Sequence, residues 1–311
     1  MVTAATEARS TLLKGLIFAA PLLAGFIVME CGLRRVSTRA SRGRAQVEAQ
    51  QGRCQVLILG SSNAEFGIVP ELLAEPAVNI ADHTQSLYYD LALAERYVPG
   101  MPQLKVVVLG LTYATLESET YDWGSWVTWP NYANHWDIPP QQPAFFEAQR
   151  WSLTALYGLR MSISYARKGF PVNLPVPPPP PLTAEAMAAE GPSYAKAHTN
   201  AIHPERARDN LTRLDRIATL VEQRGAKLIL VDTPTHDSYL QRLPRSVQAR
   251  NANNLQAFLQ RHPNVTYRDY LHDPRFALDD FRDPVHLSPK GAETFTKILD
   301  AELVRPVLAR E

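Results

Sequence analysis

The chain has 311 residues, 45% of them hydrophobic, enough for one large packed domain or two ordinary ones. Its 32 lysines and arginines nearly cancel its 31 aspartates and glutamates, so the basic excess needed to grip a phosphate backbone is missing and nucleic acid is excluded as a partner. Cys31 and Cys54 stand in no C-x-x-C or Cys/His spacing, so no disulfide framework, metal or cofactor is expected.

The first element is apolar. Gly15 to Met29, "GLIFAAPLLAGFIVM", is uncharged, and Leu12 and Leu13 extend it beyond Lys14, whose stem can snorkel. Roughly 20 apolar residues cross a bilayer, and this run approaches that length with Pro21 inside it. A signal anchor and a cleaved signal peptide both fit. The anchor is favoured because Glu30 and "CGLRRVSTRASRGR" follow instead of a small-x-small cleavage site. Residues 1–35 are therefore read as a membrane anchor and 36–53 as a basic juxtamembrane linker. Arg34, Arg35, Arg39, Arg42 and Arg44 follow the run, and taken alone they place the main domain in the cytoplasm.

From residue 54 to 311 short aliphatic runs alternate with helical patterns, the signature of a parallel α/β sheet. "CQVLIL" and "KVVVLGL" suit strands covered on both faces. "AVNIA" between them reads as a strand, followed by a helix with Leu87, Tyr88, Leu91 and Val98 on one face. Leu211, Leu214, Ile217 and Val221 predict another helix, which Gly225 ends. The strand "KLILVD", a helix over Val247 to Leu259 and the strand "NVTYRDY" come next, and Ser288 and Pro289 cap a last helix to about Leu303. Two stretches break the rhythm. "YDWGSWVTWPNYANHW" holds four of the five tryptophans, and the prolines of "PVNLPVPPPPPL" predict a polyproline II spacer. Residues from about 121 to 203 thus read as an insertion or cap on a single domain.

Two places could carry chemistry. A serine hydroxyl needs a base for its proton and donors for the oxyanion, and the carboxyl end of a strand just before a helix offers exposure and backbone N–H groups. In "LILGSSNAEFG" Ser62 has that placement, although Gly60, Ser61 and Ser62 also suit a plain strand-to-helix turn. The base should be a histidine held by a carboxylate. Asp283 and His286 in "RDPVHLSPKG" stand D-x-x-H before the capped last helix, whereas the second such pair, Asp269 and His272, follows a predicted strand.

The serine turn after the first strand and the D-x-x-H before the last helix resemble the SGNH (GDSL-type) hydrolase superfamily. "LGSSNAEFGIVPELL", "VNIADHTQSLYYDLALAERYV", "VVVLGLTYATLE" and "DPVHLSPKGAETF" are similar to its membrane-anchored branch in bacterial envelope biosynthesis, which includes the teichoic acid D-alanyl transfer and the alginate and cellulose acetylation proteins. The resemblance covers residues 54–116 and 227–303. It implies a flavodoxin-like three-layer α/β/α parallel sheet with Ser62 as nucleophile, His286 as base and Asp283 orienting it. The family's glycine and asparagine oxyanion donors are missing from "NIADHT" and "GLTY". The Ser62 N–H remains, with Thr84, Gln85 and Thr112 as substitutes. Loss of one donor costs on the order of 10²–10³ in rate, which implies a slow or specialised acyltransferase.

Trp123, Trp126 and Trp129, with His236 after the fourth strand, are candidate glycan contacts. The tryptophans equally suit the insertion's own small core or a membrane interface. The resemblance implies an extracytoplasmic, periplasmic domain on a single-pass anchor in the cytoplasmic membrane, against the arginine count. It also implies an envelope glycan acceptor and an acyl carrier or membrane O-acyltransferase partner. The expectation is an envelope O-acyl, in particular acetyl, transferase or esterase. The alternative is a catalytically silent scaffold of the same fold that binds a polysaccharide or a biosynthetic membrane partner.

Overall fold

The computed structural model describes residues 2–123, 128–141, 152–170 and 183–309. The chain forms two compact units, one of residues 1–38 and 142–176, the other of 39–141 and 177–311. The first unit contains α1 (Val2–Leu33) and, further along the chain, α6 (Leu153–Arg167). Leu13–Leu33 of α1, 21 residues, is long and apolar enough to cross a membrane.

The second unit is built on five strands, β1 (Val56–Gly60), β2 (Ala77–Asn79), β3 (Val106–Leu111), β4 (Lys227–Asp232) and β5 (Thr266–Asp269). They form one parallel sheet in the order β2-β1-β3-β4-β5, the flavodoxin-like order. Its helices are α2 (Arg39–Gln50), α3 (Ser62–Gly67), α4 (Leu87–Tyr97), α5 (Thr128–His135), α7 (Ala184–Asn200), α8 (Ala207–Gln223), α9 (Asp237–Leu240), α10 (Arg245–Arg261), α11 (Pro289–Leu299) and α12 (Arg305–Leu308). The aliphatic runs have no polar face because both faces of the sheet are covered. Val56, Ile58, Val106, Val108, Ile229 and Val231 join Ala292, Phe295 and Leu299 of α11 in one core. Leu57, Leu59, Val107, Leu109, Leu228 and Leu230 alternate with them and are as deeply buried, on the face where α4 packs against α8. Fully burying a side chain such as Phe295 contributes about 1.5–3 kcal/mol.

Two stretches differ from the sequence reading. Residues 39–50, read as linker, form α2, because Ala40, Gly43 and Val47 recur at helical spacing and are buried behind the arginines. The last helix ends at Leu299, and one π-helical turn, Asp300–Val304, leads into α12. The polyproline segment lies outside the described residues.

Candidate active site

Ser62 stands at the first position of α3, directly beyond the carboxyl end of β1. The sheet order reverses on either side of β1, which is where open α/β sheets leave a crevice. Two paired glycines permit the turn. Gly60 has φ +120°, and a Cβ there would lie 2.6 Å from the Gly110 carbonyl, while a Cβ on Gly110 would meet the Ala64 Cβ at 2.6 Å. Only glycine at both strand ends lets α3 start so close to β3.

The partner loop is closed as tightly. Phe281 and Leu287 form an antiparallel bridge, the Arg282 N–H donates to the His286 carbonyl at 3.0 Å, and the Ser288 N–H donates to the Asp280 carbonyl at 2.8 Å. Ser288 caps α11, its Oγ accepting from the Gly291 N–H. Asp283 and His286 project from this loop, and His286 Nε2 lies 2.7 Å from Ser62 Oγ. His286 Nδ1 lies 2.9 and 2.8 Å from the two Asp283 oxygens. A carboxylate can only accept, so Nδ1 carries the proton and Nε2 is left to take one from the serine hydroxyl.

Burial pushes the Asp283 carboxyl up, but the hydrogen bonds from His286 and the Val285 and His286 N–H groups outweigh it and hold the group below the ordinary carboxylate range. The Phe66 ring meets the imidazole edge-on at 5.3 Å and carries the Arg282 guanidinium 4.5 Å from its centroid. Asn63 completes the frame by donating to Thr233 Oγ1 at 3.2 Å and to the Val285 carbonyl at 2.9 Å. It thus stitches α3 to the loop after β4 and to the histidine loop. Sequence reasoning passed over Asn63, whose only signal was its place next to the serine.

These groups open into a cavity of about 560 Å³ lined from the carboxyl ends of all five strands, with Ser62 and His286 in its wall. The oxyanion candidates divide. The Ser62 N–H lies in the first turn of α3, where no earlier helical carbonyl reaches it. Thr84 lines the cavity at φ +54°, and its buried Oγ1 has no hydrogen-bond partner among the described residues. Gln85 is engaged elsewhere: its amide donates to Asp90 Oδ1 at 2.6 Å and its carbonyl oxygen accepts from Tyr132 Oη at 2.6 Å. Asp90 also accepts from the Gly60 N–H at 2.9 Å, so this buried chain ties the serine turn to the loop after β2. Thr112 closes a turn, its N–H donating to Thr115 Oγ1 at 2.8 Å.

Of the aromatic candidates, Trp123 lines the cavity. Trp126 lies outside the described residues, as does the side chain of Trp129. Trp136 is core, 1% exposed and edge-on to Tyr97. His236 is at the expected edge of the sheet but does not line the cavity. Its Nδ1 accepts from the Ser238 N–H at the start of α9, and its ring meets Phe281 edge-on.

The cavity gains residues from α7 that the sequence did not single out. Tyr194 and His198, one turn apart, line it with Tyr113 and Tyr239. His198 Nδ1 lies 2.7 Å from Tyr239 Oη, with Trp123 edge-on at 4.7 Å. Burial, and then the charge of His286, lower the His198 pKa to about 4, so it is neutral at physiological pH. Among the described residues no group of three or more His, Cys, Asp or Glu side chains could hold a metal ion.

No family model matches the sequence, and no curated protein matches it. Solved structures similar to this chain include one described as a candidate platelet activating factor of Streptococcus pneumoniae, at 12% identity and a TM-score of 0.42 over 92% of this chain and 98% of that one. A candidate acylhydrolase of Bacteroides fragilis is 13% identical with a TM-score of 0.43, over 85% and 95% of the two chains. A GDSL-like lipase of Bacteroides thetaiotaomicron is 12% identical with a TM-score of 0.41, over 88% and 100%.

Proposed function

We propose that the chain is a membrane-anchored serine esterase or O-acyltransferase of the SGNH type that moves an acyl group, in particular acetyl, onto an envelope glycan hydroxyl or water. The observation that carries this reading is the unbroken relay from Ser62 through His286 to Asp283 at the wall of a cavity. His286 Nε2 takes the Ser62 proton as Oγ bonds to the carbonyl carbon of the acyl donor. The donor's C–O bond then breaks, and the leaving oxygen takes that proton from His286. A sugar hydroxyl or water repeats the sequence in reverse: His286 removes its proton, its oxygen bonds to the acyl carbon, and Ser62 leaves with the proton returned. Asp283 holds the imidazole in the tautomer that both halves need.

The Ser62 N–H and the Thr84 hydroxyl are the donors proposed for the oxyanion. Trp123, Tyr194 and His198 are proposed to receive the acceptor, since aromatic faces stack on sugar rings and His198 offers a neutral polar edge. α1 is read as a single-pass anchor with the catalytic unit outside the cytoplasm. An acyl carrier or a membrane O-acyltransferase is the partner this reading implies.

Fluorophosphonate labelling followed by peptide mapping tests the nucleophile. The label is expected on Ser62 and is expected to vanish in His286→Ala. p-Nitrophenyl acetate turnover should fall about 10³-fold or more in Ser62→Ala and His286→Ala alike, because the relay acts as a unit. Absence of both label and turnover in the wild-type protein sinks the enzyme reading and leaves the silent scaffold.

A further inference from the structure

The first compact unit carries an apolar surface that the catalytic reading does not use. Glu30, near the end of the apolar span of α1, binds the start of α6. Its carboxylate accepts from Ser152 Oγ at 2.6 Å, the Thr154 N–H at 2.9 Å and the Leu153 N–H at 3.0 Å. Leu33, Leu153 and Leu156 are buried together, with Met29, Tyr157, Tyr165 and Phe170 packed around them. The start of α6 is thereby fixed to the last turn of the span. A 21-residue helix rising 1.5 Å per residue is about 32 Å long, close to the thickness of a bilayer's hydrocarbon core, so its last turn falls at headgroup depth. Aromatic residues and arginines concentrate at that depth.

At Gly158, φ +70°, the backbone leaves helical geometry, and the helix resumes over the following residues. There Leu159 is 67% exposed, and Ile163, one turn further on, is 36% exposed. Arg160 and Arg167 are exposed beside them, and exposed Lys168 follows. Met161 points about 200° away from Leu159 around the helix and takes no part. We propose that α6 is a second membrane contact, lying in the interface of an anionic phospholipid bilayer. Leu159 and Ile163 enter the acyl boundary, while Arg160 and Arg167, about 100° and 80° around the helix from Leu159, meet the phosphates. The apolar pair belongs to the same compact unit as the span, and the basic residues supply the complementary charge. The inference rests on reading α1 as an anchor.

The test uses the full chain in nanodiscs of phosphatidylcholine and phosphatidylglycerol, in a Cys31→Ser background that leaves the buried Cys54. An environment-sensitive thiol dye is placed singly through Leu159→Cys, Ile163→Cys, Ser164→Cys or Leu22→Cys. Nitroxide lipids are expected to quench the dye at 159 and 163, and aqueous iodide to quench it there at least about threefold less than at 164. Arg160→Glu with Arg167→Glu, or discs without phosphatidylglycerol, should weaken the lipid quenching at 163. Iodide access at 159 equal to that at 164, with the Leu22→Cys dye still lipid-quenched, overturns the inference and leaves the anchor standing. Shielding of 159 from both quenchers means that protein covers the face and overturns it too. No lipid quenching at 22 removes the anchor reading and the inference with it.

Discussion

Asp283 accepts from the His286 ring and from two backbone N–H groups, so its ionised form is favoured by the folded state in spite of burial. Because its folded pKa lies below the unfolded value, the stability it contributes is present above the unfolded pKa of about 3.9 and is lost as pH falls through the folded one. Urea unfolding of wild type and Asp283→Asn is therefore expected to differ most near neutral pH and to converge on acidification. A gap that widened in acid would refute that assignment. Thr84 gives a second prediction. Its left-handed backbone carries strain of about 1–2 kcal/mol, and its hydroxyl has no protein partner among the described residues. Thr84→Gly should be at least as stable as wild type yet lower kcat on p-nitrophenyl acetate about 10²-fold, with Thr84→Ser retaining most of the rate. Ser62, Asp283 and His286 could be singled out in the sequence because strand ends and helix caps mark their places. Gln85 could not be judged there, since Asp90 and Tyr132 occupy its amide across contacts that no local pattern encodes.

At the scale of elements, α7 supplies Tyr194 and His198 to the wall of the cavity. It crosses the turn at α9 so closely that a Cβ on Gly191 would lie 2.5 Å from the Ser238 carbonyl carbon and oxygen. Backbone cannot yield as a side-chain tip does, so Gly191→Ala must push α7 away and carry Tyr194 and His198 with it. The expected outcome is a loss of about 1–3 kcal/mol in urea unfolding. KM should rise for a glycan acceptor, with p-nitrophenyl acetate turnover nearly intact. An unchanged KM would remove α7 from the acceptor site. The helices over Ala207–Gln223 and Pro289–Leu299 were legible from apolar spacing and caps, whereas the helix over Leu87–Tyr97 was placed but buries Tyr89, Leu93 and Tyr97 where the spacing had pointed to Tyr88 and Leu91. α2 was obscured because charged side chains outnumber its thin stripe of Ala40, Gly43 and Val47.

For the whole molecule, α2 belongs to the second compact unit, the one that carries the sheet. The Arg39 guanidinium donates to the carbonyls of Asn79, which ends β2, and of Ala81 just after it, and Val47 is fully buried. A fragment starting at Thr38 is expected to unfold in one cooperative transition, and one starting at Arg53 to melt at least about 5 °C lower. Equal melting temperatures would make α2 dispensable. The sequence by itself determined the parallel alternation of strands and helices, the apolar span and the two ends of the relay. Each of these is written in residues close together in the chain, as apolar period, cap or strand terminus. Only the tertiary structure decided that Ser62 and His286 meet at 2.7 Å, that Gln85 and Thr112 are already engaged, and that α7 lines one wall of the cavity. Those depend on which distant backbones approach each other, and that is fixed by packing across the sheet rather than by any local pattern.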